Sequence, residues 1–290
     1  MHFVNAKTIL TPHSMNIYRG CSHGCIYCDA RSKCYQFTHD FEDIEVKQNA
    51  PELLEETLKK KRKRCMIGTG SMGDPYIPLE KDLQLMRRCL EIIERYNFGV
   101  TLQTKSDLVL RDIDILERIN NKTKAVVQMT LTIADDKVCK LIEPGVCPTS
   151  RRFEVLCECK ARGIPTVVWF SPLLPFINDT KENVEGIVDY CERAGVKAII
   201  CFGIGLTLRE GNREYFYSAL DKLENHFGNL KERYIKKYGY RYIVSSPKGR
   251  ALMAHLYNLC NEKKITLGTD SVFKWMEEFP QTNPMQPELF

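Results

Sequence analysis

Apolar and polar positions follow two periods along this chain. Short runs rich in β-branched and apolar residues fall at 15–18, 65–69, 100–104, 125–132, 165–171 and 198–203, and each reads as a buried strand. Between them the apolar positions move to helical spacing, as at Leu79, Leu83, Met86, Leu90 and Ile93, or at Val184, Ile187, Val188 and Cys191. Strand and helix alternate at the intervals of right-handed βαβ units, which predicts an α/β fold with a parallel sheet covered by helices. Six units are too few to close an eight-stranded barrel, so the economical architecture is a partial (β/α)6 barrel over residues 1–205.

From about residue 206 the pattern changes to Arg209, Asn212, Arg213, Tyr215 and Tyr217, then Tyr234, Tyr238, Tyr240 and Arg241. This predicts a mostly helical extension over 206–280. Basic residues interleaved with rings fit amphipathic helices that close the open side of the barrel with rings inward. They also fit a stacking platform for nucleic acid. Residues 281–290 hold two prolines and no period and read as a disordered tail.

In barrels of parallel strands the chemistry sits at the carboxyl ends of the strands, and the residues there are the unusual ones. The first end carries Cys21, Cys25 and Cys28, three thiols within eight residues. Three is one fewer than full protein ligation of an iron-sulfur cube requires, so one iron would stay open to a small molecule. A zinc site with His23 as a fourth ligand, or cysteines acting as small buried apolar residues, are the alternatives. The second end reads Gly68-Thr69-Gly70-Ser71-Met72-Gly73-Asp74-Pro75, where backbone can approach a ligand closely. The third is Gln103-Thr104-Lys105-Ser106-Asp107, with a lysine placed to meet a carboxylate. The fourth is Thr130-Leu131-Thr132, followed by Glu143-Pro144-Gly145 and Arg151-Arg152; the fifth runs from Ser171 through Pro172, Asn178 and Asp179.

Composition narrows the setting. Among 290 residues there are 13 cysteines, an odd number, and residues 1–10 hold no long apolar run, so a reducing cytoplasm is expected rather than a disulfide-forming compartment. No stretch of about eighteen apolar residues predicts a membrane span. The net charge of +5 is compatible with a polyanionic partner without demanding one. The basic run 59–64 closes a helix that opens with Asn49, Pro51, Glu52, Glu55 and Glu56, a polarity that suits the helix macrodipole and marks a solvated helix end. Cys157 and Cys159 point to different faces of a helix, and the other cysteines are scattered singly, so one cluster per chain is expected.

The cysteine run, with Tyr27 just before its third thiol, resembles the signature of the radical S-adenosylmethionine enzymes. That resemblance implies a 4Fe-4S cluster whose open iron is chelated by S-adenosylmethionine. An external donor such as flavodoxin or ferredoxin would supply the electron that releases a 5′-deoxyadenosyl radical. Over roughly residues 15–205, the segments Gly70-Ser71-Met72-Gly73-Asp74, Thr104-Lys105-Ser106-Asp107 and 172–179 resemble the spore photoproduct lyase branch. By that likeness Gly70, Ser71, Asp74 and Ser106 belong to the cofactor site, and Lys105 pairs with the methionine carboxylate. Tyr27 would lie beside the nucleoside, and Thr132 would meet the ribose. The branch quenches its product radical with a cysteine and a tyrosine at positions that read Ser71 and Asp29 here. A nucleic-acid-related substrate is thus implied, but not repair of the thymine dimer itself. Cys65 and Cys201 are the substitute hydrogen donors, with buried packing as their other role. Radical chemistry on a peptide or small metabolite is a second possibility. A non-catalytic electron-transfer or redox-sensing module is a third, which Lys105 and the glycine segment argue against. The terminal Gln286-Pro287-Glu288-Leu289-Phe290 resembles the pentapeptide that docks bacterial repair and replication proteins on the sliding clamp. It implies Gln286 for a polar subsite and Leu289 and Phe290 for an apolar pocket, with a plain tail as the alternative.

Overall fold

The structure, a computed structural model, describes residues 1–280. The tail 281–290, with Gln286, Leu289 and Phe290, lies outside the described residues. Seven parallel strands form the main sheet: β1 (Ser14–Met15), β2 (Met66–Thr69), β3 (Gly99–Thr104), β4 (Ala125–Thr130), β5 (Thr166–Trp169), β6 (Ala198–Ile200) and β7 (Thr266–Leu267). They lie in chain order across the sheet, each hydrogen-bonded in parallel to the next. A two-residue strand, Leu10–Thr11, adds to β1 in the antiparallel sense. The fold is the α/β partial barrel that the periodicity predicts.

Three features differ from the expectation. The run 15–18 is not one strand: Met15 belongs to the barrel, whereas Tyr18 opens Tyr18–Arg19, part of a separate three-stranded sheet with His2–Val4 and Glu45–Lys47. The seventh strand, β7, pairs with β6 through Ala198 and Thr266, and at two residues it is too short to show a period. The helical run 79–93 is also broken at Gln84, which adopts φ 51 between the helices Glu80–Leu83 and Leu85–Arg95. The break has a cause in Glu80, a fully buried carboxylate whose Oε1 accepts from the Met86 amide at 3.0 Å and so caps the second helix.

Side-chain alternation assigns the two faces of the sheet different work. Val100, Leu102, Val127 and Met129 join the main core with helices Leu85–Arg95 and Ile113–Lys122. On the inner face, Val126, Val167, Ala198 and Ile200 pack against Val272 and Met276 of the helix Asp270–Glu277. Lys124 and Lys197, which precede β4 and β6, both reach Trp275 of that helix. The helix therefore plugs the amino ends of the strands, and each aliphatic side chain it helps bury contributes about 1.5–3 kcal/mol. Higher in the interior the lining turns polar: Gln128 Nε2 donates to Thr101 Oγ1 at 2.7 Å, and Trp169 Nε1 donates to Gln128 Oε1 at 2.6 Å. What is left open is the carboxyl-end mouth.

The extension comprises helices Asn212–Asp221, Glu224–Phe227, Leu230–Tyr238 and Gly249–Glu262, with an antiparallel pair, Gly205–Thr207 and Ile243–Ser245. Some of its rings turn inward and others outward. The hydroxyls of Tyr217, Tyr234 and Tyr238 donate inward to the carbonyls of Gly239, Pro175 and Ser245, each at 2.7 Å. Tyr240 and Tyr242 face outward. No helix among the described residues is long and apolar enough to cross a membrane.

Candidate active site

The cysteine loop lies between Tyr18–Arg19 and a short turn at Asp29–Arg31. Backbone hydrogen bonds hold it, together with the side chains of His23 and Tyr27. Cys21 N donates to Phe41 O at 3.3 Å, Ile26 N to Ile142 O at 3.1 Å, and Gly145 N to His23 O at 2.9 Å. Gly145 is required at that approach, since a Cβ there would sit 2.5 Å from the His23 carbonyl oxygen. Gly70, at φ 96, has the same role at the end of β2, where a Cβ would come within 2.1 Å of the Gln103 carbonyl oxygen.

These contacts gather the strand ends around a cavity of about 510 Å³, lined by Cys21, Cys25 and Cys28 on one side and by Gly70, Ser71, Asp74, Lys105 and Tyr27 beside them. Burial pushes the thiol of Cys21 up to about 12 and raises those of Cys25 and Cys28 as well, while Lys105 pulls all three back. Iron would displace the remaining protons on binding. Three thiols leave a fourth ligand to be supplied, whereas a structural zinc site is closed by four protein ligands. The donor set fits a multi-iron cluster better than a lone zinc.

Lys105 is the lone cation of this wall. Its Nζ lies 5.9 Å from the Tyr27 ring centre and, among the described residues, has no carboxylate within 4.0 Å. Burial works against its ammonium, yet the surrounding Cys25, Glu143 and Asp74 raise its pKa above the ordinary lysine value. Among the described residues it is a charged donor without a protein acceptor, lining the cavity next to the thiols.

Asp74 and Glu143 serve differently from what a free ligand would. Asp74 Oδ1 accepts from Thr104 Oγ1 at 2.7 Å and Tyr76 N at 2.9 Å; Oδ2 accepts from Lys105 N at 2.7 Å and faces His23 Nε2 at 3.1 Å. Both oxygens are committed, so Asp74 ties the cysteine loop, the glycine segment and β3 together. Burial pushes its carboxyl up, but His23, Thr104 and the Lys105 amide outweigh that and hold it at about 2. Glu143 is fully buried, 2.6 Å from Arg152 Nη2, and accepts a short hydrogen bond from the Tyr27 hydroxyl. Burial raises Glu143, and Arg152 and Lys105 more than reverse it, so the carboxylate stays charged beneath the cluster loop. Arg152 spends its other donors on the carbonyls of Cys147 and Thr130.

Several expected residues fall elsewhere. Thr132 does not line the cavity; it is buried, with its hydroxyl 3.4 Å from Glu143 Oε1. Ser106 faces a smaller recess, where its Oγ accepts from Leu108 N at 3.2 Å and caps the turn that follows. Cys65 precedes β2 and so lies at the strand end opposite the cavity, with Sγ 3.5 Å from His13 Nδ1. Cys201 turns toward Met253 at 3.7 Å, while its neighbour Phe202 takes the cavity side. In each case the pleat or the turn sends the side chain away.

The structure also supplies residues that spacing could not reveal. Tyr35 lines the cavity and donates to Asp29 Oδ2 at 2.9 Å, and Arg209 Nη1 lies 3.4 Å from the same hydroxyl. Phe202 and Ile243, 61% and 63% exposed, form the opposite lip with Ser245. His23 is 3% exposed; neither ring nitrogen makes a hydrogen bond among the described residues, and Nε2 lies 3.1 Å from Asp74 Oδ2. The placement of His23 inside the cysteine run was its only signal.

The sequence profile of the radical SAM superfamily matches residues 15–191. The chain belongs to this superfamily, and membership implies a 4Fe-4S cluster and S-adenosylmethionine. An uncharacterized protein of Mycobacterium tuberculosis is 26% identical over 223 residues, 73% of this chain and 64% of that protein. The chain thus spans somewhat less than two thirds of that relative's length. Spore photoproduct lyase complexed with dinucleoside spore photoproduct superposes with a TM-score of 0.64 at 12% identity, covering 91% of this chain and 80% of the other. Streptococcus suis SuiB bound to precursor peptide SuiA gives 0.53 at 12% identity, covering 90% and 49%. These likenesses establish the shared fold.

Proposed function

We propose that this protein is a radical SAM enzyme acting on a nucleic-acid-related substrate other than the spore photoproduct. The observation that carries the catalytic half is Lys105, a cation with no carboxylate partner among the described residues, set beside three thiols that leave a fourth ligand to be supplied. In such a site the bound cluster and S-adenosylmethionine supply a 5′-deoxyadenosyl radical that abstracts hydrogen from substrate. The chain's own residues orient and enclose: Lys105 receives the methionine carboxylate, Tyr27 flanks the nucleoside with its hydroxyl fixed on Glu143, and Gly70 and Ser71 border the amino group. A flavodoxin- or ferredoxin-like donor in the cytoplasm delivers the electron.

The substrate half is supported by the opposite lip. Phe202, Ile243 and Met72 expose apolar surface at the mouth, and Arg209 lies over the rings of Tyr35 and Tyr242 at 5.9 and 5.5 Å. An exposed ring, Tyr242, and a half-buried one, Tyr35, backed by one guanidinium suit unstacked bases. Ser71 and Asp29, both lining the cavity, hold neither the thiol nor the phenol of the lyase-like quench. A peptide substrate is favoured by one different observation, the two-stranded sheet at the mouth, whose unpaired edges could accept an extended chain.

The test is anaerobic reconstitution with iron and sulfide, followed by dithionite, S-adenosylmethionine and deuterated substrates. Deuterium in 5′-deoxyadenosine with DNA or nucleotide substrates, and negligible repair of the spore photoproduct dinucleoside, is the expected result. Transfer from peptides alone would select the second reading. No 5′-deoxyadenosine under any condition would remove both.

A further inference from the structure

The small three-stranded sheet, away from the cluster cavity, brings together side chains with metal-ligand chemistry. His2 and Glu45 are register partners on the parallel strands His2–Val4 and Glu45–Lys47. His39, in the loop that leads back to Glu45, stands over them with its ring edge-on to His2, centroids 4.8 Å apart. One donor atom from each of His2, His39 and Glu45 lies within 4.8 Å of the other two, and His39 Nε2 is 3.8 Å from Glu45 Oε2.

The hydrogen bonds around the two imidazoles set their tautomers. His39 Nδ1 lies 2.9 Å from the Asp40 carbonyl oxygen, which can only accept, so Nδ1 carries the proton and Nε2 the lone pair. His2 Nδ1 lies 3.0 Å from Asp43 Oδ2, and donation to that carboxylate likewise leaves the Nε2 lone pair free. Metal-binding histidines show this pattern, with one ring nitrogen donating to a carboxylate or carbonyl and the other turned to the ion. His39 Nε2 is moreover buried without a hydrogen-bond partner among the described residues, a costly state for a polar atom.

We propose that His2, His39 and Glu45 form a second metal site, structural in role and selective for a zinc-like divalent ion. Two imidazoles and a carboxylate are a borderline donor set that suits zinc, with water completing the tetrahedron. The edge of such a tetrahedron is about 3.3 Å for zinc-ligand bonds of about 2.0–2.1 Å, so the three groups close on an ion by rotamer adjustment. Cationic groups oppose it: Arg19 Nη1 lies 3.9 Å from Glu45 Oε2, Lys47 follows on the same strand, and the N-terminal ammonium lies 2.8 Å from Asp43 Oδ1. That guanidinium is already engaged, since its Nη2 donates to the Tyr35 and Gln36 carbonyls at 2.9 and 3.0 Å and it stacks on Phe37. The Asp43 carboxylate balances the N-terminal ammonium and holds the His2 ring. The ion would fasten the 36–44 loop to the N-terminal strand, and the Phe41 carbonyl in that loop is the acceptor for the Cys21 amide. It would thereby steady the support of the first cluster ligand without touching the cofactor.

Equilibrium dialysis of the cluster-loaded protein against zinc, with zinc and iron counted per chain, tests this without reference to turnover. The expected result is saturable uptake of about one zinc per chain, weakened at least about tenfold in His39→Ala and Glu45→Gln at unchanged iron content. Asp43→Asn, which frees the His2 ring, should weaken binding about 10–100-fold. If circular dichroism shows that His39→Ala fails to fold, His39→Gln replaces it with the same loss expected. Absence of saturable uptake, or equal zinc in wild type and a His2→Ala/His39→Ala double variant, overturns the site and assigns any zinc to free cysteines.

Discussion

On the wall made by the cysteine loop and the ends of β2, β3 and β4, the carboxylates are locked to fixed partners and Lys105 is left facing the cavity. Across the cavity, the lip made by Phe202, Ile243 and Ser245 offers exposed apolar surface with little to fix it. Asp74 has four polar neighbours and Glu143 is closed between Arg152 and Tyr27. Phe202 and Ile243 are more than half exposed. The difference separates two tasks. A cofactor that is always the same molecule is served by a preorganised wall, whose buried charges hold only while every partner is present. A substrate that differs among relatives of one fold is served by surface that can change at small cost to stability.

That contrast can be broken from either side. The largest effect is expected from Cys25→Ala, which should abolish the reducible cluster and all 5′-deoxyadenosine formation, read by iron content and product analysis. Glu143→Ala should destabilise the fold by about 3–5 kcal/mol, because it strands the Arg152 guanidinium in the interior. The urea midpoint measures this, and Glu143→Gln should cost less. Lys105→Ala should leave cluster iron intact and weaken S-adenosylmethionine binding by about 1.5–3 kcal/mol, roughly tenfold or more, in a calorimetric titration. Unchanged affinity would remove Lys105 from the cofactor site.

Asp74→Asn sharpens the comparison through pH. The carboxyl is held at about 2 in the fold against 3.8 otherwise, so the folded state binds fewer protons and gains stability above pH 4 that is lost as pH falls toward 2. The substitution should cost about 2 kcal/mol at pH 7, with the gap to wild type narrowing below pH 4, as followed by urea unfolding of the apoprotein. At the small end, Phe202→Ala and Ile243→Ala should shift stability by less than about 0.5 kcal/mol and leave cofactor cleavage in place. Their effect should be on coupling of that cleavage to substrate. A large loss of stability from either would erase the distinction between the walls.

Legibility in the sequence followed the same division. The cysteine spacing, the glycine segment and Lys105 are local signals at strand ends, so the sequence alone placed them on one side of a cavity in a parallel barrel. Asp74 was named for the right neighbourhood, yet nothing in its surroundings along the chain reveals that Thr104, Tyr76 and Lys105 take up its oxygens. Ser106 and Thr132 show the limit of strand-end reasoning, because a one-residue turn of the backbone decides whether a side chain meets the cavity or the packing behind it. Tyr35, Phe202 and Ile243 come from loops and a late hairpin brought together by tertiary packing, which no period records. The tyrosines after residue 206 carried a readable composition but not their direction, since the same interleaving serves burial for Tyr234 and exposure for Tyr240.

The pairing of β7 with β6 has a consequence for how the chain comes to exist in the cell. Until Thr266 and Leu267 arrive, Ala198–Ile200 presents a row of unpaired amides and carbonyls, a template on which another chain can add. In synthesis from the N-terminus, the cysteine run leaves the ribosome early, while the strand that covers this edge leaves near the end of the described residues. The order of emergence thus makes barrel closure a late event. Two residues far from any cofactor ligand stand between the nascent enzyme and its association with copies of itself.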